Sequence, residues 1–241
     1  MIWNDAPLFK SLTPFGEALL RLIYPACCAL CRQALTLEER MLCGICAEKL
    51  KSLELPRIES RKVFETGLIK EYFCLYAYKE ELKDLWTQVK FNHRAWLIDT
   101  LRESLQKFLL AVQPETRYDY LIPVPVTFWR RLNRHYNQAE LLAKQISLLS
   151  GMPVVRALKK VRLTPNQRQL SREERQSNLR NSLALREVPE QIRGSSVLLV
   201  DDIFTTGATA RESARVLKRA GIKNIGIFTL AQTPIRIQTK L

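Results

Sequence analysis

The chain has 241 residues, 46% of them hydrophobic and 26% charged, and a formal net charge of +14 at pH 7. That length suffices for a full hydrophobic core plus one small appended module, and the balance of apolar and charged residues excludes a fibrous or low-complexity chain. No apolar run reaches the length of a membrane span, and Met1-Ile2-Trp3-Asn4-Asp5 does not lead a cationic start into an apolar stretch. The expectation is a cytoplasmic protein without membrane insertion.

Nearly all of the positive excess falls after residue 116. Such an excess attracts polyphosphates and nucleic-acid backbones, and it also suits a plain solvated surface.

In chain order, residues 1–23 read as a short amphipathic lead-in through Leu12, Phe15, Leu19, Leu22 and Ile23. Two cysteine knuckles follow, Cys28-x2-Cys31 and Cys43-x2-Cys46. Four thiolates at this spacing suit tetrahedral zinc, and a cytosolic compartment disfavours disulfides. A segment this short cannot build its own core, so a structural metal would supply its folding energy. Cys27 also precedes Cys31 at a workable spacing, which leaves Cys27 or Cys28 as the first ligand. Pro56 marks a boundary between residues 1–56, the lead-in and cysteine module, and the main domain, residues 57–241.

Glu71 to Tyr78 reads as an aromatic-rich strand in which Cys74 is a small core residue. Leu82, Leu85, Trp86 and Val89 fall at helical spacing, as do Ile98, Leu101, Leu105, Phe108, Leu109 and Val112. Both helices are expected to cover the core, with no chemistry assigned to them. From Tyr118 strands and helices alternate. Tyr120–Val126 is a short apolar run, and a helix over Gln138–Leu149 is stopped by Gly151 and Pro153. Val197–Val200 is apolar enough to be buried on both faces, a helix spans Ala208–Ala220, and Ile225–Leu230 is the next strand. This strand-helix-strand unit predicts a parallel sheet with right-handed crossovers, an α/β fold.

Ligands of open α/β sheets bind at the carboxyl ends of the strands. Asp201 and Asp202 stand at that end of the Val197–Val200 strand, and Thr205-Thr206-Gly207-Ala208-Thr209 opens the helix after it. Backbone N–H groups at a helix start favour an anion, threonine hydroxyls add donors, and Gly207 allows close approach. Two carboxylates beside such a cradle fit a phosphorylated ligand that also offers hydroxyls or a divalent cation.

Four hydrophobic residues, two acids, two hydrophobic residues and Thr-Thr-Gly-Ala-Thr resemble the phosphoribosyl-pyrophosphate (PRPP) signature of type I phosphoribosyltransferases. The resemblance implies that Asp201 and Asp202 contact the ribose hydroxyls and position the sugar for catalysis. It also implies that Thr205, Thr206, Gly207, Ala208 and Thr209 hold the 5′-phosphate, with Mg²⁺ accompanying PRPP. Further blocks resemble the ComF family: Ile122-Pro123-Val124-Pro125, then Arg131, Arg134 and Tyr136-Asn137-Gln138-Ala139-Glu140-Leu141-Leu142-Ala143. Thr164, Gln167, Leu170-Ser171-Arg172, Glu174-Arg175 and Asn178-Leu179 continue the likeness. The family usually has glycine where this chain has His135.

These resemblances imply a type I phosphoribosyltransferase fold, a Rossmann-like parallel sheet flanked by helices, with its signature-bearing core over residues 117–234. They add a small N-terminal four-cysteine, zinc-ribbon-like module with Cys28, Cys31, Cys43 and Cys46 as ligands. The loop after Val126 is expected at the end of a neighbouring strand, with Arg131, Arg134 and Asn137 on the pyrophosphate side. Two functions fit. In the first, the protein binds PRPP or ribose 5-phosphate, transfers a phosphoribosyl group to an acceptor that the sequence does not reveal, and serves natural competence and DNA uptake. In the second, it is a non-catalytic PRPP-sensing adaptor for single-stranded DNA or a competence helicase, with Arg168, Arg172 and Arg175 on the nucleic acid.

Overall fold

A computed structural model describes residues 26–55, 67–91, 95–111, 118–126, 136–161, 182–186 and 190–233. The lead-in lies outside them, as do Arg131, Arg134, Arg168, Arg172 and Arg175.

The core is a four-stranded sheet of β1 (Glu71–Ala77), β2 (Tyr120–Pro123), β5 (Ser196–Phe204) and β6 (Asn224–Gln232). Their order across the sheet is β1-β6-β5-β2, and every neighbouring pair is parallel. β5 is therefore an inner strand, which explains its unbroken apolar run: Val197, Leu198, Leu199 and Val200 are all buried. A separate antiparallel ribbon pairs β3 (Leu158–Lys160) with β4 (Leu183–Leu185).

Both faces of the sheet are covered. On one side α2 (Glu80–Phe91), α3 (Arg102–Ala111) and α4 (Gln138–Ser150) place Leu82, Trp86, Leu105 and Leu142 against Phe73, Leu198, Val200 and Phe228. On the other, α5 (Ala208–Arg219) sets Ala210, Ala214 and Leu217 against Tyr72, Val197, Leu199 and Ile227. The sequence reading of one helix through Ile98–Val112 is corrected here. The chain first forms a 3₁₀-helix, Ala95–Leu101, and only then α3. Buried Ile98 and Leu101 stand three residues apart, the 3₁₀ repeat, and the Thr100 hydroxyl donates to the Leu97 carbonyl at 2.6 Å, a local bond that competes with the α-helical ladder.

The cysteine segment is built into this core. Its helix α1 (Gly44–Lys51) and the turn after it contribute Leu50 and Leu53, which join Ala29 in the cluster that contains Leu85 and Trp86. Leu55 N–H donates to Leu75 O and Ala77 N–H to Leu53 O, both at 2.9 Å, so residues 53–55 run along the outer edge of β1. That edge is thereby closed by the module's own chain.

Gly226 marks the tightest approach in the sheet. A Cβ there would lie 2.1 Å from the Tyr118 hydroxyl oxygen, which itself donates to Glu71 Oε2 at 2.6 Å. Gly226→Ala must displace Tyr118 and break that bond, and should lower stability by about 1–3 kcal/mol. Chemical unfolding measures this, and an unchanged midpoint would refute the packing described.

Candidate functional site

The site begins where β5 leaves the core. Val200 is fully buried, whereas Asp201, Asp202 and Ile203 are half-buried, so the strand emerges at the two acids. β5 nevertheless runs on to Phe204, which places the acids inside the strand and not in the turn after it. Asp201 Oδ1 accepts from Asp202 N–H and Asp202 Oδ1 from Ile203 N–H, each at 2.8 Å. Asp202 Oδ2 also accepts from Trp86 Nε1–H of α2 at 3.3 Å. Asp201 instead neighbours Tyr72, whose hydroxyl shares a 3.1 Å bond with Thr229 and donates to Gln232 Oε1 at 3.1 Å. Burial above all, and then the neighbouring Cys74 and Asp201, push the Tyr72 phenol well above its usual range, so it remains a neutral donor. The adjacent acids thus face different surroundings, an indole from one helical layer and a phenol from the opposite core.

The turn Thr205-Thr206-Gly207 carries the chain into α5. Gly207 is the residue before the helix, with φ 69°, a left-handed conformation that favours glycine. A Cβ there would lie 2.8 Å from the Phe204 ring and 3.2 Å from the Arg211 guanidinium. Glycine is therefore required by the turn itself as well as by any close approach of a ligand. The Arg211 guanidinium donates to Thr206 O at 2.8 Å and holds the turn from beneath. The first turn of α5 contains no acidic residue, so its N–H groups and the positive end of its dipole meet no negative charge of the helix's own, and Arg211 adds a positive one. Thr205 is exposed, Thr206 and Thr209 are half-buried, and Ala208 is buried. The structure therefore brings the whole expected PRPP set, Asp201, Asp202 and Thr205 to Thr209, onto one strand end, the turn after it and the first turn of α5.

β2 ends beside them, with Val124 N–H donating to Val200 O at 2.9 Å. Asn137 caps α4: its Oδ1 accepts from Ala139 N–H at 3.1 Å, and its Nδ2 donates to Val124 O at 2.9 Å. The side chain thus ties the start of α4 to the end of β2. Arg131 and Arg134 belong to the segment between Val126 and Tyr136, outside the described residues.

Sequence reasoning missed Trp86, Tyr72 and Arg211. Arg211 had a signal, since it stands four residues after Gly207, one helical turn on. Trp86 and Tyr72 gave none beyond apolar spacing.

The second cluster is in the cysteine module. The sulfurs of Cys28, Cys31, Cys43 and Cys46 all lie within 4.8 Å of one another, and Cys31 and Cys43 are 3.6 Å apart. Tetrahedral zinc with Zn–S bonds of about 2.3 Å needs sulfurs about 3.8 Å apart, so the four are close enough for one zinc ion to draw them together. Cys27 is not part of this group; it forms a β-bridge with Ala34. The first knuckle closes through Cys28 N–H to Gln33 O at 2.8 Å and Arg32 N–H to Cys28 O at 3.0 Å, with Arg32 left-handed at φ 67°. Cys43 directly precedes α1. Burial opposes ionisation of Cys28, but backbone N–H groups of Cys31, Cys43 and Leu30 outweigh it and bring the thiol down to about 7. Burial first, and then the neighbouring sulfurs, drive Cys46 the other way. Four thiolates this close need a cation among them to coexist.

The phosphoribosyl transferase domain family matches residues 138–240. Competence protein F of Haemophilus influenzae is 35% identical over 162 residues, covering 64% of this chain and 69% of that protein. The DNA utilization protein YhgH of Salmonella typhimurium is 28% identical over 228 residues, 88% of this chain and 99% of its own length. Competence protein ComFC of Bacillus subtilis is 24% identical over 210 residues, 86% of this chain and 84% of its own.

Metal analysis tests the cysteine cluster. Protein purified under reducing conditions should carry about one zinc per chain, as four ligands demand. Cys27→Ser should keep the metal, and Cys28→Ser should lose it and unfold at lower temperature, because Ala29, Leu50 and Leu53 are anchored in the main core. A Cys28→Ser protein that retains full zinc would move the ligand elsewhere.

Proposed function

This chain belongs to the ComF family of competence proteins and has the type I phosphoribosyltransferase fold, and on that premise we propose that its strand-end site binds PRPP together with Mg²⁺. The observation that carries the reading is the placement of Asp201 and Asp202 at the exit of the central parallel strand, one turn before a helix start free of acidic residues. Thr205 to Thr209 surround the 5′-phosphate, with the N–H groups of the first turn as donors and Gly207 keeping the turn tight. Asp201 and Asp202 accept from the ribose hydroxyls and fix the sugar.

Carboxylate oxygens suit Mg²⁺, and the two acids sit in different surroundings, so the ion would draw much of its coordination from ligand oxygens and water. Its chemistry there would be to neutralise pyrophosphate charge. Arg131 and Arg134 are assigned to the same pyrophosphate. Asn137 contributes by holding the flanks of that segment together, as its capping bonds support.

In phosphoribosyl transfer the ribose develops oxocarbenium character as pyrophosphate leaves, and the protein's part is to hold the sugar and stabilise the leaving group. The names of the relatives support a role in competence or DNA use. We assign zinc to Cys28, Cys31, Cys43 and Cys46 as a structural ion, in a module over residues 1–56 before the phosphoribosyltransferase domain over 57–241.

Calorimetry with PRPP and Mg²⁺ tests the site. Asp201→Asn should weaken PRPP about tenfold to a hundredfold through loss of a charge-assisted hydrogen bond, and should leave inorganic phosphate little changed. Gly207→Ala should weaken both ligands alike, because the left-handed turn is lost. Wild-type protein that ignores millimolar PRPP with Mg²⁺ would end the proposal.

Any binding of single-stranded DNA should be tolerant of sequence and fall steeply with salt as counterions are released, and reversal of Arg168, Arg172 and Arg175 to Glu should weaken it. Binding that is indifferent to salt would speak for base readout instead.

A further inference from the structure

We propose that Trp86 is a positioning residue for the ribose site: its indole N–H holds the Asp202 carboxylate in the orientation that receives the sugar hydroxyls. The inference rests on the ribose-binding reading given above and names what makes that carboxylate competent.

Trp86 is 1% exposed and packs among Leu82, Leu85 and Val89 in the main core. For packing alone phenylalanine would serve, since the indole adds one polar atom that burial makes costly unless it is bonded. That atom reaches Asp202, 116 residues away, at the point where β5 leaves the core. A carboxylate at a half-buried strand end can rotate about its side-chain bonds. Here the two oxygens are held by two different donors, Oδ1 by Ile203 N–H at 2.8 Å and Oδ2 by Trp86 Nε1–H at 3.3 Å. One donor belongs to the strand and the other to the helix layer, so together they fix both the tilt and the plane of the group. A carboxylate offers about four acceptor positions, so a clamp of this kind is compatible with further bonds from vicinal hydroxyls.

The donor is itself rigidly placed. In the same stretch of α2, Gln88 donates to the Ala29 carbonyl of the cysteine module, and the Val89 carbonyl accepts from the Tyr136 hydroxyl just ahead of α4. Trp86 is thus braced from two sides. Preorganised donors of this kind reduce the reorganisation needed when a ligand arrives.

The test is a double-mutant cycle read by calorimetry with ribose 5-phosphate and with inorganic phosphate. Trp86→Phe keeps the ring in the core and removes the donor. It should weaken ribose 5-phosphate about three- to tenfold and leave inorganic phosphate unchanged, because phosphate engages the Thr205–Thr209 turn and not Asp202. In an Asp202→Ala background the same substitution should have no effect on ribose 5-phosphate, whereas a merely structural tryptophan would cost the same in both. Equal ribose 5-phosphate affinity in wild type and Trp86→Phe overturns the proposal, as does an equal loss for both ligands. Wild-type protein that binds phosphate but gains nothing from the ribose would instead overturn the underlying ribose-site reading.

A second readout needs no variant to fold. In wild-type protein carrying ¹⁵N-labelled tryptophan, one indole N–H signal should shift with ribose 5-phosphate and stay in place with inorganic phosphate. Indole signals that remain unmoved at saturating ribose 5-phosphate also overturn the proposal.

Discussion

Everything at the candidate site depends on one change of character within β5. Val197 to Val200 are buried by parallel neighbours and by helices on both faces, and the next two residues are acids. Charged side chains cannot follow the strand into that core, so the unbroken buried run must end where Asp201 begins, and only Phe204 at the end of the strand returns to the core. The parallel arrangement then places β2 and β6 with their carboxyl ends at the same edge. The turn that must follow an inner parallel strand delivers a helix N-terminus to the acids. Carboxylates and an anion-attracting helix start are brought together by the same topological necessity. That juxtaposition is what a ligand carrying both hydroxyls and phosphate needs.

The part of the site contained in consecutive residues was legible in the sequence, because strand, acids, turn and helix start lie within Val197–Thr209 and each has a local signature. Gly207 was read as room for phosphate. Its left-handed φ and the proximity of Phe204 give it a prior structural reason, one that no single-sequence pattern distinguishes from the first. The four-cysteine cluster was nearly as legible, since its spacing is local too. Backbone geometry separates Cys27 from Cys28: the bridge of Cys27 with Ala34 turns that residue away, while the knuckle closes on Cys28.

What could not be read was pairing across the chain. Trp86 and Leu85 carry the same apolar spacing signal, and only the packing of α2 on the sheet shows that one of them ends at a carboxylate. Tyr72 likewise looked like one aromatic among several in β1. Its hydroxyl becomes distinctive only because β6 brings Thr229 and Gln232 alongside. The 3₁₀ stretch Ala95–Leu101 escaped for a different reason. A periodicity of 3.6 and one of 3.0 are hard to separate over seven residues when buried side chains satisfy both.

The cysteine module bears on the strand-end site through α2. A short metal knuckle could hang from the domain by a linker, yet Ala29, Leu50 and Leu53 enter the main hydrophobic cluster and residues 53–55 occupy the free edge of β1. Its carbonyl at Ala29 meets Gln88, two positions along the helix from the indole that reaches Asp202. The module therefore stabilises the fold at two weak points at once, an open sheet edge and a single helix that must hold its place between layers. If it were only a docking knob, neither the edge pairing nor the shared core would be required of it. These contacts make it a structural wall of the domain, and the position of α2, on which the geometry at Asp202 depends, is set partly by that wall.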